Sequence, residues 1–258
     1  MHPSIHIPHP RRGAALRLVC FPYAGGSSSI FRRWPAQLPE FVELVCVDPP
    51  GRAMACQSRP VDRASLLADI VAMSLDPWLD RPFALFGHSN GALLAFEVAR
   101  RLARVGRAPA LFIASAKAAP SIAHERSLHQ LPDAEFLDEL RAMGGTPEAF
   151  FQSPELQQLL LPMIRADFAV SETYEYEPAP RIACRLAMLG GTEDDCMGQE
   201  DREAWAREFD GPATWHPVQG GHFFIDSHPR PVLAALRAEL EQCAGDTLAA
   251  ERRIQEYR

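Results

Sequence analysis

No run of about 20 apolar residues, the length that crosses a bilayer as a helix, occurs in the 258-residue sequence. The opening residues MHPSIHIPHPRRG also lack the apolar centre of a signal peptide. We therefore expect no membrane association. No internal repeat or low-complexity linker interrupts the sequence, so we predict one domain over residues 1–258.

An excess of basic residues is also lacking. The 26 lysines and arginines are outnumbered by 33 aspartates and glutamates, which gives a formal net charge of −7. Nucleic-acid binding requires a basic face that neutralises phosphates, so this composition argues against a nucleic-acid partner. With 47% hydrophobic and 23% charged residues, the chain has the composition of an ordinary globular protein.

The sequence contains no C-x-x-C pair among its six cysteines. Several cysteines lie in apolar, strand-like runs, so we predict buried thiols and a reducing, cytoplasmic location. His2, His6 and His9 alternate with prolines, where we expect a frayed terminus rather than a metal site. We predict no metal ion and no cofactor. The six cysteines are Cys20, Cys46, Cys56, Cys184, Cys196 and Cys243.

Short β-branched runs alternate with longer runs of helical period along the chain. This alternation predicts an α/β fold with a mostly parallel sheet flanked by helices. The predicted strands are Leu16–Phe21, Val42–Val47, Phe83–Phe86, Ala110–Ala114, Arg185–Leu189 and Ala213–Val218. The predicted helices are Ser65–Leu79, Gly91–Val105, Glu200–Phe209 and Pro231–Gln242.

Residues 118–176 break this alternation, because they contain helix signals and no convincing strand. Asp133 can cap one helix, which Gly144 and Gly145 end, and Ser153 followed by Pro154 opens another, which Pro162 should kink. The apolar stripes of these helices favour core packing over substrate contact. We predict a helical insertion that acts as a lid. The stripes comprise Phe136, Leu137, Leu140 and Met143, then Leu156, Leu159, Leu160, Met163, Ile164 and Phe168.

A G-x-S-x-G motif, formed by Gly87, Ser89 and Gly91, lies between a buried predicted strand and a predicted helix. This context is the one in which a nucleophile elbow occurs, where a tight turn raises the serine hydroxyl above the sheet. Side chains at the two glycines would collide with the crossing strand and helix. The motif therefore predicts Ser89 as a catalytic nucleophile.

A serine hydroxyl needs a base and a carboxylate that orients the base. His222, in VQGGHFFI, follows the last predicted strand and precedes the final helix, which makes it the favoured base. His88 adjoins the serine at the strand end, and we interpret it as packing or pocket lining. Four other histidines are weaker candidates for the base: His124, His129, His216 and His228.

The carboxylate is left open by spacing alone, because Glu193, Asp194 and Asp195 are adjacent after the strand that ends near Leu189. A glycine-rich loop with Gly25 and Gly26 follows the first predicted strand. Hydrolases place one oxyanion donor in such a loop, and the other is the amide of the residue after the nucleophile, which is Asn90 here. No G-K-[ST] follows, which disfavours a phosphate-binding loop.

The sequence resembles the type II thioesterases of nonribosomal peptide and polyketide synthases, within the α/β-hydrolase fold. The resemblance spans almost the whole chain and includes LVCFPYAGGSSSIFRRW, PPGR, FGHSNGALLAFEVARRL, LPDAEFLDELRAMGGTPEAFF, LLLPMIRADFAVSETYEY and GGHFF. It implies a monomeric cytoplasmic enzyme that hydrolyses acyl groups from the phosphopantetheine arm of carrier proteins. It also implies a triad of Ser89, Asp194 and His222, with backbone oxyanion donors at Ala24 and Asn90.

Two residues depart from the pattern of that family. Asn90 stands where methionine is usual, and Ala53 stands where an acidic residue is common. The backbone amide of residue 90 survives the change, so we expect altered acyl preference rather than lost activity.

Two other functions remain open from the sequence: a generic cytoplasmic carboxylesterase, and an inactive module that binds a carrier protein. Six arginines could dock an acidic carrier, although an ordinary solvated face is the favoured interpretation. These arginines are Arg32, Arg33, Arg100, Arg101, Arg104 and Arg107. The tail, residues 245–258, is predicted to be a short helix or disordered.

Overall fold

A computed structural model describes residues 2–122 and 127–256, with side chains described as far as residue 246. Its strands are β1 Ser4–His6, β2 Leu16–Phe21, β3 Val42–Asp48, β4 Phe83–His88, β5 Leu111–Ser115, β6 Arg185–Gly191 and β7 Ala213–Val218. Its helices are α1 Ala64–Leu75, α2 Asn90–Arg104, α3 Asp133–Met143, α4 Glu148–Gln152, α5 Pro154–Glu172, α6 Gln199–Arg207, α7 Phe224–Ser227 and α8 Pro229–Glu256.

The described strands form one sheet in the order β1-β3-β2-β4-β5-β6-β7, in which β1 is antiparallel and the others are parallel. The central strands are apolar on both faces because helices cover both sides. In β2, Val19 and Phe21 face a core that includes residues of α1, α2 and α6. Leu16, Leu18 and Cys20 face the opposite core, which includes residues of α8. Because strands β2 to β7 run parallel, their carboxyl ends lie at one edge of the sheet.

All six predicted strands are present, and so are the four predicted helices, with ends shifted by a few residues except at the end of the last helix. The prediction of a frayed N-terminus is wrong for residues 4–6, because Ser4–His6 pairs with Cys46–Asp48 as an antiparallel edge strand. Three residues are too few to show a hydrophobic period, so the sequence carries little signal for β1.

The helical insertion between β5 and β6 contains α3, α4 and α5, which share an apolar cluster that includes Phe136, Phe150 and Ile164. Ser153 caps α5 as predicted, since its side chain accepts a hydrogen bond from the Leu156 N–H. The predicted cap at Asp133 is wrong, because α3 starts after Pro132 and the Asp133 carboxylate instead accepts from Arg165 at 2.7 Å. A lid function for this insertion stays a prediction.

The apolar stripe of α5 is only partly buried. Met163 and Ile164 pack in the cluster of the insertion, but Leu156 and Leu159 are 39% and 72% exposed. Core packing was therefore the wrong interpretation of these two leucines. The helix continues through Pro162.

The final helix, α8, is longer than predicted and continues to Glu256. The tail is therefore helical over residues 245–256. In the part of the chain that is described, no helix combines the length and apolar character needed to span a membrane.

Candidate active site

Ser89 lies at the turn between β4 and α2, with φ 54° and ψ −122°. A positive φ is strained for a residue with a side chain, and the crowding around this turn holds it in place. A Cβ at Gly87 would lie 2.2 Å from the Gly91 carbonyl oxygen, and one at Gly91 would lie 2.3 Å from the Phe21 carbonyl oxygen. Both glycines are therefore needed for the strand and the helix to approach this closely, as the sequence predicts.

The His222 ring lies between the serine and a carboxylate. Its Nε2 is 2.8 Å from Ser89 Oγ, and its Nδ1 is 2.9 Å from Asp194 Oδ2. Because a carboxylate only accepts, Nδ1–H donates to Asp194 and Nε2 is left to accept the serine proton. The three side chains have the geometry of a nucleophile, a base and an orienting acid.

The other candidate histidines are engaged elsewhere or lie outside the described residues, as His124 does. Each of the remaining three has a side-chain partner away from Ser89. His129 bonds to Glu172, His216 to Glu239 and His228 to Ser227.

The structure separates the three adjacent acids. Glu193 and Asp195 are exposed, whereas Asp194 is half-buried and faces His222. A Cβ at Gly191 would lie 2.5 Å from the Gly220 carbonyl oxygen, so this glycine lets the Asp194 loop and the His222 loop meet. Burial alone would raise the pKa of Asp194, but hydrogen bonds from His222 and from the Cys196 N–H outweigh it and lower that pKa.

The glycine-rich loop after β2 contains a tight turn over residues 23–26. The Gly26 N–H donates to the Tyr23 carbonyl at 2.9 Å, and Gly25 has φ +74°. The Phe21 and Pro22 carbonyls lie where a Cβ of Gly91 would be, so this loop runs beside the start of α2. Among the described residues, neither the Ala24 N–H nor the Asn90 N–H has a hydrogen-bond acceptor. Neither donor is therefore used within the described residues, and the oxyanion role of both stays a prediction.

His88 is fully buried, as the packing interpretation requires, and it also makes two hydrogen bonds. Its Nε2 is 2.9 Å from the His222 carbonyl oxygen and its Nδ1 is 2.8 Å from Ser115 Oγ. A carbonyl only accepts, so Nε2 carries the proton and Nδ1 accepts from the hydroxyl. Burial, followed by the charge of nearby His222, lowers the pKa of His88 to about 3. A neutral His88 therefore links the His222 backbone to β5, which the sequence did not predict because the partners are distant along the chain.

The Asn90 side chain reaches the insertion. Its Nδ2 donates to the Asp167 carbonyl oxygen at 3.0 Å, and its Oδ1 is buried without a hydrogen-bond partner among the described residues. This amide lies directly after the nucleophile in sequence.

A cavity of about 640 Å³ opens beside the base and is lined by His222, Phe223, Asp226 and Met143. It lies between the His222 loop and the end of α3, where Gly145 is so close to Phe223 that a Cβ would lie 2.4 Å from the ring. The Tyr23 hydroxyl donates to Asp226, one of the lining residues, at 2.8 Å. Its volume is in the range of small-molecule sites.

One thiol lies near the triad. Ligand atoms of Asp194, Cys196 and His222 all lie within 4.8 Å of one another. Both ring nitrogens of His222 are already engaged, with Asp194 and with Ser89, which suits proton transfer rather than metal ligation. The expectation of no metal ion and no cofactor stays a prediction. None of the six cysteines, all of them within the described residues, forms a disulfide.

The arginines of α2 do not form one solvated face. Arg100 is 6% exposed and donates to Glu97 and to the Glu177 carbonyl, so neither docking nor simple solvation describes it. Arg101 is paired with Asp69 and Glu97, and Arg107 with Asp76. Arg32, Arg33 and Arg104 are exposed.

The parallel sheet, the helical insertion and the serine at a strand-to-helix turn define the α/β-hydrolase class. Residues 16–240 match the family model described as the thioesterase domain. The chain therefore belongs to the thioesterase family, which confirms the resemblance seen in its sequence.

Two relatives and one solved structure illustrate the similarity. The chain is 39% identical over 220 residues to thioesterase PikA5 of Streptomyces venezuelae, covering 84% of this chain and 78% of the relative. It is 38% identical over 233 residues to linear gramicidin dehydrogenase LgrE of Brevibacillus parabrevis, covering 88% and 89%. The structure of the type II thioesterase BorB from the borrelidin biosynthetic cluster superposes with a TM-score of 0.84 at 35% identity, covering 92% and 97%.

Proposed function

We propose that this protein hydrolyses acyl or aminoacyl thioesters carried on the phosphopantetheine arm of carrier proteins, and thereby edits or releases intermediates of nonribosomal peptide or polyketide synthesis. One observation carries the proposal: His222 Nε2 lies 2.8 Å from Ser89 Oγ at a strained turn. Family membership and the type II thioesterase BorB support the thioester as the bond that is cleaved.

In the acylation step, His222 Nε2 takes the Ser89 hydroxyl proton while Oγ bonds to the thioester carbonyl carbon. The carbonyl π electrons move to the oxygen, which the Ala24 and Asn90 N–H groups stabilise. Each such donor contributes about 3 kcal/mol to transition-state stabilisation in comparable sites. The oxyanion then collapses, the C–S bond breaks, and the leaving thiolate takes the proton from His222.

In the deacylation step, a water molecule donates a proton to His222 Nε2 as its oxygen bonds to the acyl carbon. Collapse of this second oxyanion breaks the bond to Ser89 Oγ, and the proton returns to the serine. Throughout, Asp194 stabilises the transient imidazolium and holds Nδ1–H in place, which fixes the tautomer that the base requires. The lowered pKa of Asp194 keeps its carboxylate ionised for this role.

The same proposal includes the partner, the oligomeric state and the location of the enzyme. The partner is a carrier protein bearing phosphopantetheine, the enzyme acts as a monomer, and it works in the cytoplasm, which the lack of disulfides in the described residues supports. The exposed Arg32 and Arg33, beyond the oxyanion loop, are basic groups that an acidic carrier could meet.

Replacing the nucleophile tests the proposal. We expect Ser89→Ala to lose at least 10³-fold in kcat on an acyl-carrier protein while remaining folded, since the hydroxyl supplies the bond to the acyl group. Circular dichroism would check the fold, and a fluorophosphonate probe should label the wild type at Ser89 only. Turnover of the variant within tenfold of the wild type would exclude Ser89 as the nucleophile.

Substrate comparison separates the other functions. A generic carboxylesterase would hydrolyse p-nitrophenyl esters and acyl-carrier protein equally well. Its kcat/KM would not rise when the acyl group is attached to a carrier protein. An inactive carrier-binding module would bind the carrier without turnover or fluorophosphonate labelling. We expect the highest kcat/KM on acyl-carrier protein, a lower value on acyl-N-acetylcysteamine and the lowest on the esters.

A further inference from the structure

A buried ion pair joins the loop after β3 to helix α5 of the insertion. Arg52 donates to the two carboxylate oxygens of Asp167 at 2.7 and 2.5 Å, and each side chain is only 5% exposed. Burying two charges is costly, and apolar residues of similar volume are often at least as stable. Stability alone therefore does not account for this pair.

Arg52 and Asp167 also form hydrogen bonds with the turn over residues 23–26. The Gly25 N–H donates to Asp167 Oδ2 at 2.7 Å, and Arg52 donates to the Gly26 carbonyl at 3.2 Å. One backbone donor and one backbone acceptor of the turn are thereby fixed. The bond from the Gly26 N–H to the Tyr23 carbonyl closes the turn, and Arg52 and Asp167 further restrict its backbone, which the two glycines would otherwise leave more mobile.

Asp167 contacts the second oxyanion segment through its backbone. Its carbonyl oxygen accepts from Asn90 Nδ2 at 3.0 Å. One residue of α5 is thus bonded to the turn that contains Ala24 and to the residue after Ser89.

We propose that Arg52 and Asp167 are positioning residues that hold the Ala24 and Asn90 N–H groups at the separation a tetrahedral oxyanion requires. The inference rests on the proposed function and adds to it a reason for the buried pair. Oxyanion donors stabilise charge only when they are preorganised, and errors of about 0.5 Å in such sites lower activity. The pair contacts no reacting atom and acts through the turn.

The first test is Asp167→Asn, which keeps the shape of the side chain and removes its charge. We expect kcat per active site to fall about 10- to 100-fold, with KM changed less than threefold, because the misplaced donors act on the transition state. Arg52→Lys keeps a positive charge but loses the bidentate hydrogen bonding to Asp167. Its kcat should therefore lie between the values of the wild type and Asp167→Asn.

Affinity for a trifluoromethyl ketone analogue of the thioester supplies a readout that a purely structural role would not change. This analogue forms an anionic tetrahedral adduct with the serine, so its inhibition constant should rise in proportion to the loss of kcat/KM. A non-hydrolysable amide analogue of the substrate mimics the ground state, and its dissociation constant should stay within threefold.

Glu172→Gln is the matched control. Glu172 also lies on α5 and accepts from the Leu128 and His129 N–H groups, but it does not contact the turn. We expect its kcat to stay within threefold of the wild type. If Asp167→Asn does not fold, the double variant Arg52→Met with Asp167→Leu replaces the pair by apolar side chains and should fold with the same loss of kcat.

The inference is overturned if folded Asp167 variants keep kcat per active site within threefold, or if Glu172→Gln loses as much kcat as they do. Active sites are counted by fluorophosphonate labelling of Ser89. Absence of labelling in the wild type would instead refute the proposed function, so the two failures are distinguishable.

Discussion

Asp194 differs from its acidic neighbours in what its carboxylate contacts. Its Oδ2 accepts from His222 and its Oδ1 accepts from the Cys196 N–H, whereas Glu193 and Asp195 are exposed. An amide at position 194 could present its NH₂ to the ring and favour the wrong tautomer. We expect Asp194→Asn to lower kcat by about 10³- to 10⁴-fold, as in other serine triads, measured by thiol release from an acyl-pantetheine.

Asp195→Asn is the neighbouring control for that prediction. It removes the same charge one residue away, on a side chain that does not contact His222. Its kcat should therefore stay within about twofold of the wild-type value. Equal losses in the two variants would show that local charge, rather than orientation of the base, controls the rate.

Side-chain direction determines which of these site residues can be predicted from sequence. Ser89 and its glycines could be predicted because the strand-turn-helix context constrains the backbone. Three adjacent acids in one turn could not be separated, since which of them faces His222 depends on the approach of two loops at Gly191. The bonds of Asp167 to Arg52 and Gly25 span more than a hundred residues and leave no local pattern.

At the scale of the element, helix α5 combines a buried side with exposed leucines. Met163 is 4% exposed in the cluster of the insertion, while Leu159 is 72% exposed on the same helix. We expect Met163→Ala to lower the free energy of unfolding by about 2–5 kcal/mol, because a cavity replaces packed atoms. Urea denaturation followed by circular dichroism, with amide exchange of α5, would measure the loss.

Leu159→Ala is the comparison on the same helix. Its side chain is already in solvent, and alanine favours the helix, so the change should stay within about 0.5 kcal/mol. A loss at Leu159 as large as that at Met163 would mean that a contact covers this leucine in solution.

Elements were predictable to different degrees for a physical reason. The parallel strands are buried on both faces and therefore stand out as apolar runs, as Leu16–Phe21 does. The edge strand Ser4–His6 is short and half-buried, so its sequence resembles a loop. The apolar stripe of α5 is wider than the side of the helix that packs against its neighbours. The sequence therefore does not show which apolar residues of the stripe are buried, which explains the error at Leu156 and Leu159.

For the whole molecule, His88 couples folding stability to pH. Its ordinary pKa of 6.5 falls to about 3 in the native protein, through burial first and then the charge of His222. Between these values the unfolded chain binds a proton that the native protein does not. Stability therefore decreases as pH falls from about 6.5 towards 3. Since one pKa unit corresponds to about 1.4 kcal/mol, His88 accounts for roughly 1.5–2 kcal/mol of lost stability between pH 6.5 and 5.

His88→Gln should remove this part of the pH dependence. A glutamine can donate to the His222 carbonyl and accept from Ser115, so both hydrogen bonds are kept. Because glutamine does not titrate, residue 88 no longer binds a proton in the unfolded chain that it lacks in the native protein. Urea denaturation at pH 6.5 and pH 5 should show a smaller loss of unfolding free energy in the variant, by roughly 1.5–2 kcal/mol. His9→Gln, which replaces an exposed histidine, should keep the wild-type dependence. An unchanged pH dependence in His88→Gln would mean that native His88 takes up a proton as readily as it does in the unfolded chain, and at pH 5 its Nδ1 could then no longer accept from Ser115.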